Sequence, residues 1–213
     1  MKVLLVDDHA VVRAGFQMLL SAQPFIDEII GIDRGELVSH EYERIQPDVV
    51  VMDLSMPGIG GLEAIRRLIK QDKDAIVLVY SIHEEDIYVE RAMKAGARGY
   101  VSKNSAPEIL SDAVQAVVEG KRYIEFDYEE DAEQSLEQSN EEQYREVVNL
   151  LSPREFDVFC LVAKGLTAHA AAEQLHLSYK TVANYNTQVK HKLGVSTAAE
   201  LAHIAIMLGI IKH

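Results

Sequence analysis

Unbroken apolar runs alternate with helical repeats through the first half of the chain. Lys2-Val3-Leu4-Leu5-Val6 reads as a strand ended by Asp7-Asp8, and Val11, Val12, Phe16, Leu19 and Leu20 then recur near helical spacing between Ala10 and Ser21. A second strand falls within Phe25 to Ile32, and a short helix around Gly35 to Arg44 leads to Val49-Val50-Val51-Met52. That third run is continuous and rich in β-branched residues, the pattern of a strand covered on both faces in a parallel sheet. Met56-Pro57-Gly58 stops it, because proline lacks a ladder donor and glycine suits a turn. The alternation continues with a helix opened by Gly60-Gly61, a strand from Ala75 to Ser81, and a helix from Glu84 to Ala95 ended by Gly96. A short strand and its exit at Gly99 to Lys103 and a helix from Ala106 to Glu119 complete it. Five short strand–helix pairs predict a doubly wound parallel sheet with right-handed crossovers.

The second half carries helix signals only. Ser152-Pro153-Arg154-Glu155 places Ser at the N-cap, Pro at the first helical position and Glu at the third, so a helix starts there and runs to Lys164. Thr167 begins a second helix, Ser178 caps a third from Tyr179 to Leu193, and Thr197 to Leu208 forms a fourth. Short helices with a three- to four-residue break have helix-turn-helix form. The expected fold is α/β followed by all-α: a (βα)5 sheet domain over 1–122, a linker over 123–147 and a four-helix domain over 148–213.

Composition separates these segments further. The chain of 213 residues has net charge −13, but residues 1–124 contribute −6, residues 125–144 contribute −9 with no Lys or Arg, and residues 145–213 contribute +2. The last segment, with five of the eight histidines, is the only one with a positive balance. The acidic run next to it is expected to stay open by self-repulsion; solvation is its plain reading, and competition with nucleic acid for the basic surface the sharper one. No apolar run approaches ~18 residues, the N-terminal apolar stretch is too short for a signal peptide, and the single Cys160 rules out an internal disulfide. Together these predict a cytoplasmic protein without a membrane segment, with Cys160 a buried small hydrophobe.

In a parallel sheet all strands end on one edge, where open α/β folds build their sites. That edge receives Asp7 and Asp8, Asp53, Ser81 and Lys103 from four different strands. One ammonium cannot balance three carboxylates, and Mg²⁺, which takes oxygen ligands, is the usual relief. An aspartate there can attack phosphorus, while a lysine and a hydroxyl hold the phosphoryl oxygens. A phosphohydrolase of the haloacid-dehalogenase type is excluded by Ser55, which stands where it needs a second Asp. A flavodoxin is excluded by Asp7-Asp8, which would repel its phosphate. His9 has no second His at ligand spacing and reads as a helix-start residue.

With Asp7-Asp8-His9, Asp53-Leu54-Ser55-Met56-Pro57-Gly58, Ser81, Tyr100 and Lys103, residues 1–122 resemble the receiver domain of two-component response regulators. The resemblance implies that Asp53 accepts a phosphoryl group from a sensor histidine kinase. It further implies that Asp8, Asp53 and the Ser55 backbone carbonyl bind Mg²⁺, with Asp7 assisting through water. Ser81 and Tyr100 match the family's switch pair, the hydroxyl moving toward the phosphate and the ring turning inward. Ile82 is bulkier than the small residue often found after the switch hydroxyl.

The third C-terminal helix has no Asp or Glu, so it can approach phosphates without repulsion. Lys180, Thr181, Asn184, Tyr185, Gln188, Lys190 and Lys192 are its polar or basic positions, and Val182, Val189 and Leu193 suit a core. Lys and Asn read base edges, and a helix N-terminus favours phosphate. Leu151-Ser152-Pro153-Arg154-Glu155, Gly165-Leu166-Thr167, Leu177 to Val182, Lys192-Leu193-Gly194-Val195 and Glu200-Leu201 resemble the LuxR-type helix-turn-helix of NarL/FixJ response regulators. Pro57 to Ala64, Tyr123-Ile124 and the tail from Glu200 to Ile211 look most like the GacA/UvrY subgroup. Ala168-His169-Ala170-Ala171-Ala172 departs from the family's usual Asn-Lys-Glu-Ile-Ala. By the resemblance Lys180, Thr181, Asn184 and Tyr185 face the major groove of double-stranded DNA. Lys190 and Lys192 serve as phosphate contacts, and Leu201, Ile204, Ala205 and Leu208 form the seam of a homodimer. The expected protein is a phosphorylation-controlled transcription factor and no enzyme beyond its own phosphoryl transfer and dephosphorylation. The alternative, kept alive by the alanine-rich second helix, is a signalling adaptor whose C-terminal domain binds protein.

Overall fold

In a computed structural model the described residues are 1–126 and 139–211. They form two compact units, one α/β and one all-α. The strands of the first unit are β1 (Lys2–Val6), β2 (Glu28–Ile32), β3 (Val49–Met52), β4 (Val77–Ser81), β5 (Gly99–Ser102) and β6 (Tyr123–Ile124). All pair in parallel in the order β2-β1-β3-β4-β5-β6. The helices between them are α1 (Ala10–Ser21), α2 (Val38–Ile45, preceded by one 3-10 turn), α3 (Gly61–Gln71), α4 (Asp86–Ala95) and α5 (Pro107–Val118). Every residue of β3, β4 and β5 is buried, which is why those runs lack polar alternation, whereas edge strand β2 is half-buried or exposed throughout. Each fully buried Val, Leu or Met there stabilises the fold by roughly 1.5–3 kcal/mol relative to an exposed one.

The strand order reverses between β1 and β3, and their register aligns Val6 with Met52. The next residues, Asp7 and Asp53, therefore leave the sheet side by side, and Asp53 N–H donates to Val6 O at 2.9 Å. β4 and β5 end level at Ser81 and Ser102, and Lys103 N–H donates to Ser81 O at 2.8 Å. Gly61 lets α3 start directly against this edge. A Cβ at that position would lie 2.1 Å from Asp53 O and 2.6 Å from Leu54 Cα, so only glycine fits.

The second unit comprises α6 (Ser139–Asn149), α7 (Pro153–Ala163), α8 (Ala168–Gln174), α9 (Tyr179–Leu193) and α10 (Ala198–Met207). Its starts are set by local chemistry: a capping box joins Ser152 and Glu155, another joins Thr197 and Glu200, and Thr167 and Ser178 cap α8 and α9. Gly194, in the left-handed conformation, closes α9. Phe156, Phe159, Val162, Ala171, Val182, Val189 and Leu193 build the core, and Cys160 is buried among the apolar side chains of α7.

Two expectations change. The sheet gains a sixth strand, because Tyr123-Ile124 pairs with Gly99-Tyr100 and so belongs to the α/β unit and not to a linker. The expected linker of 123–147 is also cut from its other end, since α6 (Ser139–Asn149) packs on α9 and α10, making five helices among the described residues where four were expected. Residues 127–138 of the acidic run, on which competition with DNA was expected, lie outside the described residues.

Candidate functional site

The edge at the ends of β1 and β3 gathers more negative charge than its protein partners neutralise. Asp7 and Asp53 are each only 2% exposed, and the Lys103 ammonium stands between them, 2.6 Å from Asp7 Oδ2 and 2.7 Å from Asp53 Oδ2. Ser55 N–H donates to Asp53 Oδ1 at 3.1 Å, and His9 N–H to Asp7 Oδ1 at 2.7 Å. Burial, the strongest influence, pushes the Asp53 carboxyl above its ordinary range, against the pull of Lys103 and the Ser55 amide and with help from Asp7. Ligand atoms of Asp7, Asp8, His9 and Asp53 all lie within 4.8 Å of one another. Asp8 Oδ1 and Asp53 Oδ2 are buried acceptors without a well-directed hydrogen bond. Their close neighbours are cationic or titratable nitrogens, His9 Nδ1 at 3.0 Å and Lys103 Nζ. Carboxylate oxygens in surplus over donors fit a hard divalent cation. His9, read from sequence only as a helix start, does precede α1 without capping it, and its ring also borders this cluster.

Beside the cluster, the Ser81 side chain is wholly buried and its Oγ accepts from His83 N–H at 3.3 Å. Tyr100 is also wholly buried, its hydroxyl donating to His83 O at 2.7 Å, so the ring already lies inward. Ser55 Oγ and His83 Nε2 are 3.0 Å apart, and the His83 ring stacks on Tyr88 at 3.9 Å. No local pattern marks the Ser55–His83 pair, whose members stand 28 residues apart.

The all-α unit presents a different chemistry. Val182, Val189 and Leu193 face its core, which puts Lys180, Asn184 and Gln188 on the outward side of α9 and Thr181 and Tyr185 on its flank. Lys180, Asn184 and Gln188 are exposed, while Thr181 and Tyr185 are half-buried. At the start of this helix the Tyr179 ring stacks on His169 of α8 at 4.2 Å.

Comparison with known proteins joins the two chemistries. Residues 3–115 match the response regulator receiver domain, and residues 149–205 match the luxR family of bacterial regulatory proteins. The chain is 37% identical over 208 residues to the response regulator UvrY of Escherichia coli K12, covering 98% of this chain and 94% of UvrY. It is 35% identical over 210 residues to the response regulator GacA of Pseudomonas aeruginosa, covering 99% and 97%. The chain is a two-component response regulator of the LuxR type. Among solved structures, RcsB of Salmonella enterica serovar Typhimurium, bound to promoter rprA in the presence of the phosphomimetic BeF3⁻, shares the fold with a TM-score of 0.61. That likeness has 22% identity and spans 99% of this chain and 100% of the other.

Two features of the response regulator bear on the sequence reading. The Lys192 ammonium, expected as a phosphate contact, is paired within the domain: its Nζ lies 2.6 Å from Oε2 of buried Glu155, the same oxygen that accepts from Ser152 N–H at the start of α7. Lys190 is engaged more lightly, donating to the Ser196 carbonyl at 3.0 Å. Leu201, Ile204 and Ala205 of α10, and Leu208 just after it, expected as a dimer seam, are buried within the domain, where α10 packs on α7. On the side of α10 away from these residues, Ala199 and His203 are exposed and Ala202 and Ile206 half-buried. Among the described residues no helix is long and apolar enough to cross a membrane.

Proposed function

We propose that Asp53 is the phosphoacceptor of this regulator and that a sensor histidine kinase is its donor. The observation that carries this reading is the position of Asp53: buried at the strand-order reversal, fixed by the Ser55 amide, and 2.7 Å from an ammonium shared with Asp7. A carboxylate oxygen of Asp53 attacks phosphorus, the bond from phosphorus to the donor breaks, and the donor's leaving group takes up a proton. Lys103 holds one phosphoryl oxygen and the Ser81 hydroxyl donates to another. Asp7, Asp8, Asp53 and the Ser55 backbone carbonyl are the residues to hold Mg²⁺, which supplies charge neutralisation between carboxylates and phosphoryl oxygens. Ser81 and Tyr100 act as the switch pair, and phosphorylation shifts the population toward a form that binds DNA.

In that form Lys180, Thr181, Asn184, Tyr185 and Gln188 read the major groove of promoter DNA, and Lys190 contacts phosphate. The protein works in the cytoplasm as a homodimer on paired half-sites, with the outward face of α10 as the seam. Its domains are a receiver ending at 126, a connecting segment, and a helical DNA-binding domain beginning with α6. It turns over no substrate beyond its own phosphoryl group. Incubation with acetyl phosphate and Mg²⁺ is expected to label the wild-type protein at one site and leave Asp53→Asn unlabelled. Label retained by the variant refutes the assignment.

A further inference from the structure

The turn that carries Lys103 is gripped by a residue that begins the acidic segment. Glu125 follows β6 directly, and its N–H donates to Tyr100 O at 3.1 Å, extending the pairing of β6 with β5 by one bond. Its carboxylate then reaches both sides of Lys103. Ser102 N–H donates to Glu125 Oε2 at 2.8 Å, and the Ser105 hydroxyl donates to Oε1. Phe126, the next residue, sets its ring against that of Tyr100 at 6.3 Å. The same turn is held from the β4 side by Glu84, whose Oε1 accepts from Ser102 Oγ and Asn104 Nδ2.

These contacts run in a short line. At one end the Lys103 ammonium touches Asp53 and Asp7, and at the other the chain continues past Phe126 into the acidic run. A phosphoryl group on Asp53 gives the Lys103 ammonium a new anionic partner and draws the side chain toward it. The turn from Ser102 to Ser105 must accommodate that pull. Glu125 holds this turn by a bidentate, charge-assisted grip, the strong and geometrically specific kind of hydrogen bonding. Any displacement of the turn is therefore imposed on Glu125, next to the last residue of the receiver, from which the chain enters the connecting segment.

We propose that Glu125 is a positioning residue that couples the state of Asp53 to the segment leading to the DNA-binding domain. It acts through Ser102, Ser105 and the Lys103 turn and touches no reacting atom. A purely structural role would show as lost stability alone. A coupling role shows as a loss of the response to phosphate at unchanged phosphate content. The inference rests on Asp53 being the phosphoacceptor and on DNA binding being its output.

The test uses the full-length protein, with phosphorylated and unphosphorylated forms separated after treatment with acetyl phosphate and Mg²⁺. Promoter-DNA affinity is compared at matched occupancy of Asp53. The wild-type affinity ratio between the two forms is expected within the roughly 5–150-fold range of allosteric coupling, and Glu125→Ala is expected to bring it below about 2-fold. Ser105→Ala, which removes one of the two grips and leaves Glu125 in place, is expected to fall between them and decides the matter if Glu125→Ala fails to fold. A second readout follows from linkage: promoter DNA should tighten beryllofluoride binding to the wild-type protein by the factor by which beryllofluoride tightens DNA binding, and both factors should fall below about 2-fold in the variant. A Glu125→Ala or Ser105→Ala protein that keeps the wild-type ratio at matched occupancy overturns the inference and leaves the phosphoacceptor reading intact. Failure of the wild-type protein to take label at Asp53 overturns both.

Discussion

Replacing Lys192 by Met separates an internal strut from a DNA contact. Met matches Lys closely in helix propensity, and its unbranched side chain replaces most of the lysine stem, so the change removes mainly the charge. The lost partner is Glu155, 5% exposed, whose carboxylate keeps its bond from Ser152 N–H but loses the ammonium at 2.6 Å. Breaking a fully buried ion pair costs about 3–5 kcal/mol. The Lys192 side chain is 41% exposed, so water replaces part of the interaction and the expected cost is about 2 kcal/mol. In the full-length protein this is read locally as amide hydrogen exchange in α7 and α9, where protection should fall roughly 30-fold, since about 1.4 kcal/mol is a factor of ten. Burial raises the Glu155 carboxyl, but Lys192 and the Ser152 N–H and hydroxyl outweigh it and hold the folded value below the ordinary range. The pair's contribution is therefore complete above the unfolded value and disappears as pH falls through the depressed folded one, so the difference between wild type and variant should close in strong acid. For DNA, the slope of log affinity against log salt should stay unchanged in Lys192→Met. Lys190→Met should reduce its magnitude by about 0.9, the loss of one phosphate contact. Unchanged protection together with a shallower salt slope in Lys192→Met would refute the reasoning.

Three other outcomes follow from the geometry. Gly61→Ala should destabilise the receiver by about 1–3 kcal/mol and slow labelling, because the new methyl meets Asp53 O at 2.1 Å; wild-type melting and labelling would show that α3 shifts freely. Asp53→Asn should raise the melting temperature at neutral pH in EDTA, since burial already favours the uncharged carboxyl, and Mg²⁺ should stabilise the wild type more than the variant. Calorimetry showing a lower melting point for the variant in EDTA would contradict this. Leu201→Ala should unfold the C-terminal domain at a cost of about 2–5 kcal/mol, whereas Ile206→Glu should leave it folded and weaken cooperative binding to paired half-sites in gel-shift titrations. The reverse result would return the seam to the buried face.

Elements whose determinants are local were legible from the residues alone. The strand Val49–Met52 is continuous because both its faces are covered, and the helix Tyr179–Leu193 is bounded by Ser178 and Gly194, so each could be bounded without knowing its neighbours. The parallel topology then placed Asp7, Asp8, Asp53, Ser81 and Lys103 on one edge by rule, and the structure brings Lys103 to Asp7 across 96 residues of chain. Partner choice was not legible in the same way. Lys192 looks like any surface lysine of a basic helix until α7 delivers Glu155 from 37 residues away, and the Leu201 to Leu208 stripe looks like a seam until α7 covers it. Tyr123-Ile124 is too short a run to signal a strand by its own pattern and becomes one only because β5 offers an open edge. Sequence by itself determined the elements, their order and the chemistry at the strand ends, because caps, breaks and periodicity act within a few residues. Only the tertiary structure decided which charges are spent inside the fold and which remain for a ligand, because that depends on side chains meeting across long separations.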